Sequence, residues 1–310
     1  MDAVREFESE FLRVFPHATL TGAPHLGLKR FLVRLFRRSY RHFPPALLTR
    51  RPRWVPGYFQ MSVQMGPDFG LVIPAFLLRG PNFIYMFDGW PRYMPWLVDF
   101  ADHFNVKAIF FSARQSCQLF NQHRIGGEQR GHWLPEGIAP DDYAGLPVEG
   151  KVIDVLEFGR RHEAYHNQIR PALQAARAAH VYAKPGELLF PSKHDLCHAL
   201  SRTKICICFP SSVTDPERAE GVSTMTLRYL QAMISKCLVV GEAPLDIAEV
   251  FGYDPVIPYD NSDPAGQLLD VARNFDKYQP LVERNHAAVL SDHLWRNRLR
   301  SIRSLLTDAA

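Results

Sequence analysis

The sequence predicts an α/β protein built from two parallel-sheet domains that face a cleft. Three observations carry that prediction. Apolar runs of strand length alternate with amphipathic helical segments in both halves, with short connections, which is the pattern of βαβ units and parallel strands. The 310 residues are 46% hydrophobic and 22% charged, ordinary for a globular chain and long enough for two domains. Residues 140–150, PDDYAGLPVEG, are polar, rich in Pro and Gly and without periodicity. They read as the linker between a domain over residues 1–145 and a domain over residues 146–310.

In the first half, residues 25–43 carry apolar Leu28, Phe31, Leu32, Leu35 and Phe36 at helical spacing, with Lys29, Arg30, Arg34, Arg37, Arg38 and Arg41 mostly on the other side. Such a helix either packs on a core with a solvated basic face or lies on an anionic membrane surface. FGLVIPAFLL and NFIYMFDG follow as strands. WPRYMPWLVDFADHF leads to the strand VKAIFFSA, and RQSCQLFNQH is the next helix. A Gly-rich turn, RIGGEQRG, precedes HWLPEGI.

The second half repeats the alternation more clearly. KVIDVLEFG is a strand and HEAYHNQIRPALQAARAA a helix carrying Pro171. HVYAK is a short strand. SKHDLCHALSRT is a helix with Ser192 or Lys193 near its start, and KICICFP is a buried strand. A long polar loop, SSVTDPERAEGVST, feeds the helix MTLRYLQAMISK and the strand CLVVGE. PLDIAEVFG is a helix, DPVIPYD a last strand, and residues 263–293 are helical. LWRNRLRSIRSLL closes the chain as one basic amphipathic helix.

The net charge of +4 is uneven: residues 1–60 hold 11 Lys/Arg against 4 Asp/Glu, so the remainder is negative. No nucleic-acid motif accompanies the basic front, and none is expected to bind there. The five cysteines show neither a CxxC pair nor Cys/His ligand spacing and read as reduced, buried hydrophobes. No run approaches the ~20 apolar residues of a membrane span, and the acidic, amphipathic N-terminus is not a signal peptide. The chain is expected in the cytoplasm, at a membrane only peripherally through residues 25–43.

In open parallel sheets ligands bind beyond the carboxyl ends of the strands. Arg160 and Arg161 follow the strand VIDVLEFG, Lys184 follows VYA, and Ser211 and Ser212 follow ICICFP. Gly221, Ser223, Thr224 and Thr226 lead into a helix that carries Arg228 just inside it. A helix N-terminus presents unpaired N–H groups and partial positive charge, so it suits phosphate. Gly221 permits close backbone approach, the hydroxyls cap or donate, and Arg228 with one of Arg160 or Arg161 supplies charge-assisted bonds. A diphosphate fits this set. Glu220, directly before it, suits a pair of ribose or sugar hydroxyls.

At these residues the chain resembles the donor-binding domain of GT-B glycosyltransferases of the retaining, nucleotide-sugar-dependent group. The matching pieces are Gly159–Arg160–Arg161 after a strand, the loop EGVST, the helix LRYLQAM and the strand KCLVVGE; HWLPEGIAPDDY resembles the element that closes the first domain of such enzymes. The likeness covers roughly residues 130–260. Registered on QAM, Ser223 and Gln231 stand where the group places two glutamates, which leaves Glu220 as the available carboxylate. Lys184 and Lys204 are the candidates for the group's diphosphate lysine.

The resemblance implies a glycosyltransferase, of hexosyl type, moving a sugar from a nucleoside diphosphate to a saccharide, lipid-linked or protein acceptor, as in polysaccharide biosynthesis. It implies no cofactor and no metal, because Arg and backbone N–H groups neutralise the leaving diphosphate. On the acceptor side Asp88 is the candidate base. Trp90, Arg114, His132 and Glu136 complete that side. Two further functions fit less of the sequence: a sugar-nucleotide epimerase, and a nucleotide-sugar-binding scaffold without turnover, which the missing glutamates favour. No GxGxxG follows a strand, which speaks against an oxidoreductase.

Overall fold

A computed structural model describes residues 3–20, 59–66, 76, 81–104, 106–123, 129–184 and 186–308. The basic segment 25–43 lies outside these residues, as does the expected strand at 69–78 except for buried Phe76. The chain divides into two compact units. One comprises residues 4–135 and 298–310, the other residues 136–297 and 1–3.

The first unit opens with α1 (Ala3–Val14), which buries Phe7 and Phe11 and stacks Phe7 on Tyr85 with ring centroids 4.7 Å apart. It continues through β1 (Gln60–Gln64), β2 (Asn82–Met86), α2 (Met94–His103), β3 (Val106–Phe111), α3 (Arg114–His123) and β4 (Gly131–Trp133). The sheet order is β1-β2-β3-β4, every pairing parallel. All five residues of β2 are buried, as expected of a strand covered on both faces. Ile84, Met86, Ile109 and Phe111 pack against Leu97, Phe100 and Phe104 of the α2 segment and Phe120 of α3. β4 has little apolar sequence of its own. Asn121 holds it in place, donating to the Gly131 carbonyl and accepting from the Gly131 N–H, both at 3.0 Å.

The second unit runs β5 (Ile153–Glu157), α4 (Glu163–Ala175), β6 (His180–Tyr182), α5 (Lys193–Ser201) and β7 (Thr203–Cys208). α6 (Ser211–Thr214), α7 (Pro216–Ala219), α8 (Leu227–Ile234), β8 (Leu238–Gly241) and α9 (Ile247–Phe251) follow. β9 (Ile257–Pro258), α10 (Pro264–Arg273) and α11 (Gln279–Asp292) complete it. The order is β6-β5-β7-β8-β9, again with parallel pairings. Alternate side chains of the strands serve opposite faces. Leu156, Cys206, Cys208 and Val239 meet Leu200, Leu230, Met233 and Val289 on one face. Val155, Ile205, Ile207 and Val240 meet Ile169, Leu173, Leu268 and Val271 on the other. That two-sided cover is why these strands read as unbroken apolar runs. Both expected parallel sheets are present, and the five cysteines are free and buried.

Two local expectations are corrected and one is made definite. The loop SSVTDPERAEGVST contains two short helices, α6 and α7. Ser192 caps α5 with a reciprocal capping box to Asp195, which fixes the start of that helix at Lys193. The closing segment is two helices, α12 (Trp295–Ser301) and α13 (Arg303–Asp308), because the helix breaks at Ile302. Among the described residues no helix is long and apolar enough to cross a membrane.

Lys151, two residues before the start of β5, is a buried pin. Its ammonium donates to the carbonyls of Ser201 (3.3 Å), Thr203 (2.8 Å) and Ser235 (3.2 Å), at the joins of α5 to β7 and of α8 to β8. A charged donor of this kind contributes about 1.5–3 kcal/mol, and without it all three carbonyls lose their charged partner. Lys151→Met is therefore expected to lower unfolding stability by about 2 kcal/mol. Urea denaturation should show a lower midpoint at unchanged slope; an unchanged midpoint would contradict this role.

Candidate functional site

The order β6-β5-β7 places a topological switch point between β5 and β7. The chain leaves β5 toward β6 on one side and returns to β7 on the other. The crevice above such a point is where open α/β sheets bind ligands. Phe158, Gly159 and Arg160 follow β5, and Phe209, Pro210 and Ser211 follow β7.

The two strand ends meet through Arg160. Its Nη2 donates to Ser211 Oγ at 2.9 Å, and its Nη1 lies 3.5 Å from Asp215 Oδ2. The guanidinium is exposed at the rim. Arg161 turns away: it pairs with Glu163 and donates to the Ala183 carbonyl at 2.8 Å. The structure therefore brings Arg160, not Arg161, to Ser211. Ser212 is half-buried beside it in α6, and Lys184 is exposed beyond β6. Lys204 is engaged with Asp154 at 2.9 Å.

Arg228 takes a different position from the one its sequence context suggests. It reaches beneath the rim and donates to the carbonyls of Arg160 (2.7 Å), Phe158 (3.4 Å) and Phe209 (2.9 Å). It ties the carboxyl end of β5 to that of β7. Gly159 makes this possible. Its φ of +73° suits glycine, and a Cβ there would stand 2.8 Å from Arg228 Cδ. Arg228 positions the turn that presents Arg160.

The loop into α8 is pinned by the segment after β8. Ser223 Oγ accepts from the Leu245 N–H at 3.3 Å, and the Met225 N–H donates to Asp246 Oδ1 at 3.2 Å. Asp246 is buried and carried no sequence signal, because its role depends on a loop folded back from another strand. Glu220 is exposed with φ +48°, and Gly221 follows with φ +82°, so the chain reverses sharply there. Thr224 is buried. Thr226 is the N-cap residue of α8, but its side chain makes no capping bond, and its Oγ1 is buried without a hydrogen-bond partner among the described residues. A buried hydroxyl in that state calls for a specific reason. Gln231, inside α8, is buried and donates to the Tyr143 hydroxyl at 2.9 Å. Neither Ser223 nor Gln231 places a carboxylate here.

In the first unit, Asp88 follows β2, Arg114 opens α3 after β3, and His132 lies in β4, so the topology sets all three at neighbouring strands. Asp88 is half-buried; the carbonyl of Phe87 before it accepts from Ser112 Oγ at 2.6 Å. Arg114 lies over the Trp133 ring at 5.6 Å. Burial holds the His132 imidazole below its ordinary pKa, favouring the neutral ring. Trp90 is only 2% exposed, so its ring is part of the core. Glu136 is buried and belongs to the second unit.

These two Rossmann-like sheets, with a cationic, hydroxyl-lined rim at the switch point of the second, define the GT-B class. Residues 160–304, beginning at Arg160 itself, match the family described as glycosyl transferase-like. The chain has GT-B architecture, and this match lies within its second half. Among curated proteins no sequence matches the chain. Solved structures are similar in fold. A glycosyltransferase from Rickettsia africae superposes with a TM-score of 0.59 at 10% identity, covering 99% of this chain and 94% of that one. HepE from Anabaena, solved with UDP and glucose, gives 0.55 at 14% identity, covering 80% and 78%. Sucrose-phosphate synthase from Thermosynechococcus elongatus gives 0.55 at 11%, covering 93% and 80%.

Proposed function

We propose that the chain transfers a sugar, of hexosyl type, from a nucleoside diphosphate to an acceptor hydroxyl, and that the diphosphate sits at the β5/β7 switch point. The observation that carries this is the pairing of Arg160 with Ser211 beside the N-terminus of α8. Breaking the glycosidic bond leaves negative charge on the departing phosphate and positive charge on the sugar. A preorganised guanidinium and a helix N-terminus at that phosphate lower the barrier without a metal ion. Thr226 Oγ1 gains a phosphate oxygen as its missing partner. Glu220, exposed at the chain reversal, is proposed to bind ribose or sugar hydroxyls, with Ser212, Lys184 and Gly221 as further donor contacts. Asp88 serves as acceptor-side base, with Arg114 and His132 on neighbouring strands. The HepE structures, with UDP and with UDP-glucose, make a uridine diphosphate sugar the first donor to test. The acceptor is a saccharide, lipid-linked or protein hydroxyl, and residues 25–43 are the segment proposed to touch an anionic membrane surface from the cytoplasm.

The test is a panel of UDP-, GDP- and TDP-sugars assayed for release of the nucleoside diphosphate. One donor should be consumed well above the rate without protein. The absence of carboxylates at Ser223 and Gln231 favours a second function, a donor-binding scaffold. Saturable donor binding with no turnover across acceptors would establish that one instead.

A further inference from the structure

On the β6 side of the second unit's sheet, three side chains from three elements meet away from water. Glu157 is the last residue of β5, His180 the first of β6, and His166 lies one turn into α4. His166 Nδ1 is 2.6 Å and His180 Nε2 2.8 Å from the same oxygen, Oε1 of Glu157. The ligating atoms of all three lie within 4.8 Å of one another. Their side chains are only 4–5% exposed. The Tyr182 ring packs on both imidazoles at 4.7 Å. Tyr165 and Ile169, flanking His166 in the core, hold that face of α4 against the sheet.

The charge balance of this cluster is unusual. Among the described residues the ion-pair partners of Glu157 are these two imidazoles. With both rings neutral, a full negative charge is buried, which costs several kcal/mol unless matched. A divalent cation on the shared focus supplies the missing charge. Two imidazole nitrogens with one carboxylate is a borderline-soft donor set. It suits Zn(II) and its first-row neighbours and not the all-oxygen preference of Ca(II) or Mg(II). Metal–ligand lengths of ~2.0–2.2 Å need donor separations near ~3.3 Å. The two imidazole–carboxylate separations, 2.6 and 2.8 Å, would open by roughly half an ångström to admit the ion.

We infer that Glu157, His166 and His180 form a binding site for one Zn(II)-type divalent cation that clamps β6 and α4 onto β5. The clamp lies two residues before Gly159, so it braces the strand from which Arg160 projects. It takes no part in the transfer chemistry, and it stands whether or not the proposed donor is correct.

The experiment uses the full chain without a histidine tag, freed of metal with a chelator and titrated with Co(II) and then Zn(II). The account predicts one saturable equivalent, a visible Co(II) spectrum with the intensity of a four- or five-coordinate ion, displacement by Zn(II), and a Tm raised by about 5 °C with Zn(II) but not with Mg(II). His180→Ala and Glu157→Gln should each lose at least ~10-fold in Co(II) affinity, as removal of a ligand requires. The exposed pair His194 and His198, at i and i+4 on α5 with rings 6.4 Å apart, is the internal control, and His194→Ala should leave binding unchanged. Absence of a saturable Co(II) spectrum in the wild-type chain would overturn the site and leave a plain hydrogen-bonded triad. Loss of the signal in His194→Ala but not in His180→Ala would overturn it equally. The wild-type titration decides even if a ligand variant fails to fold.

Discussion

Arg160→Ala is expected to raise the dissociation constant for a nucleoside diphosphate by ~10- to 100-fold while leaving the melting temperature nearly unchanged. The guanidinium is exposed and, among the described residues, engaged with Ser211 Oγ and, at 3.5 Å, with Asp215. Exposed pairs of this sort contribute little to folding. A charge-assisted bond to a phosphate oxygen in a partly desolvated crevice contributes about 1.5–3 kcal/mol, which corresponds to that range of affinity. Calorimetry with UDP on the two proteins measures it. Arg161→Ala is the comparison: its guanidinium is taken by Glu163 and the Ala183 carbonyl, so its effect should be several-fold smaller. If Arg161→Ala instead proves the more damaging, the assignment of the diphosphate to the β5/β7 rim is wrong.

Arg228→Ala is expected to damage both folding and donor binding. The residue serves three carbonyls on two strand ends, and its removal leaves them without their charged donor. Unsatisfied buried acceptors cost about 1–3 kcal/mol each, moderated here by partial solvent access, so a loss of about 3 kcal/mol is anticipated. Because the Arg160 carbonyl is among the three, the turn that aims Arg160 should loosen, and UDP affinity should fall even well below the melting temperature. Arg228→Lys should not rescue either property, because an ammonium lacks the planar fork that spans both strand ends. Urea denaturation alongside UDP titration separates the two effects. Wild-type stability in Arg228→Ala would contradict the staple and return the side chain to direct phosphate contact.

The contrast between these two arginines marks where sequence reasoning reached its limit. The strand-end rule located Arg160, because the apolar run VIDVLEF announces a buried parallel strand and the residues after it must line the rim, and the helix-start pattern located Arg228. What the rule does not carry is the direction of a long side chain. An arginine one position into a helix has the same spacing whether it faces a ligand or turns back to a carbonyl. Gly159 held a clue, since a glycine before two arginines leaves room for a neighbour's side chain, but the neighbour lies far away in sequence. The same limit hid Asp246, which anchors the loop before α8 from a segment on another strand. It hid the Glu157, His166 and His180 cluster as well, whose spacing matches no ligand motif.

Secondary structure followed a similar division. Helices with a clear apolar stripe, such as Arg114–His123 and Glu163–Ala175, were legible at nearly their observed bounds. β1 and β4 were not. QMSVQ and GHW are too polar or too short to show a pattern, and they are strands because neighbours pair with them, through β2 for one and β3 with Asn121 for the other. Trp90, an aromatic beside a turn, fits an acceptor-side surface or the core equally well by sequence, and its ring fills the core.

The most direct measurement is a crystal structure of the chain soaked with UDP. The account predicts a diphosphate beyond β5 and β7, with phosphate oxygens within hydrogen-bonding distance of Arg160, Ser211 and Thr226 Oγ1 at the start of α8. A nucleotide bound elsewhere, with Arg160 still resting on Ser211 and Asp215 and no ligand at that helix start, would contradict it.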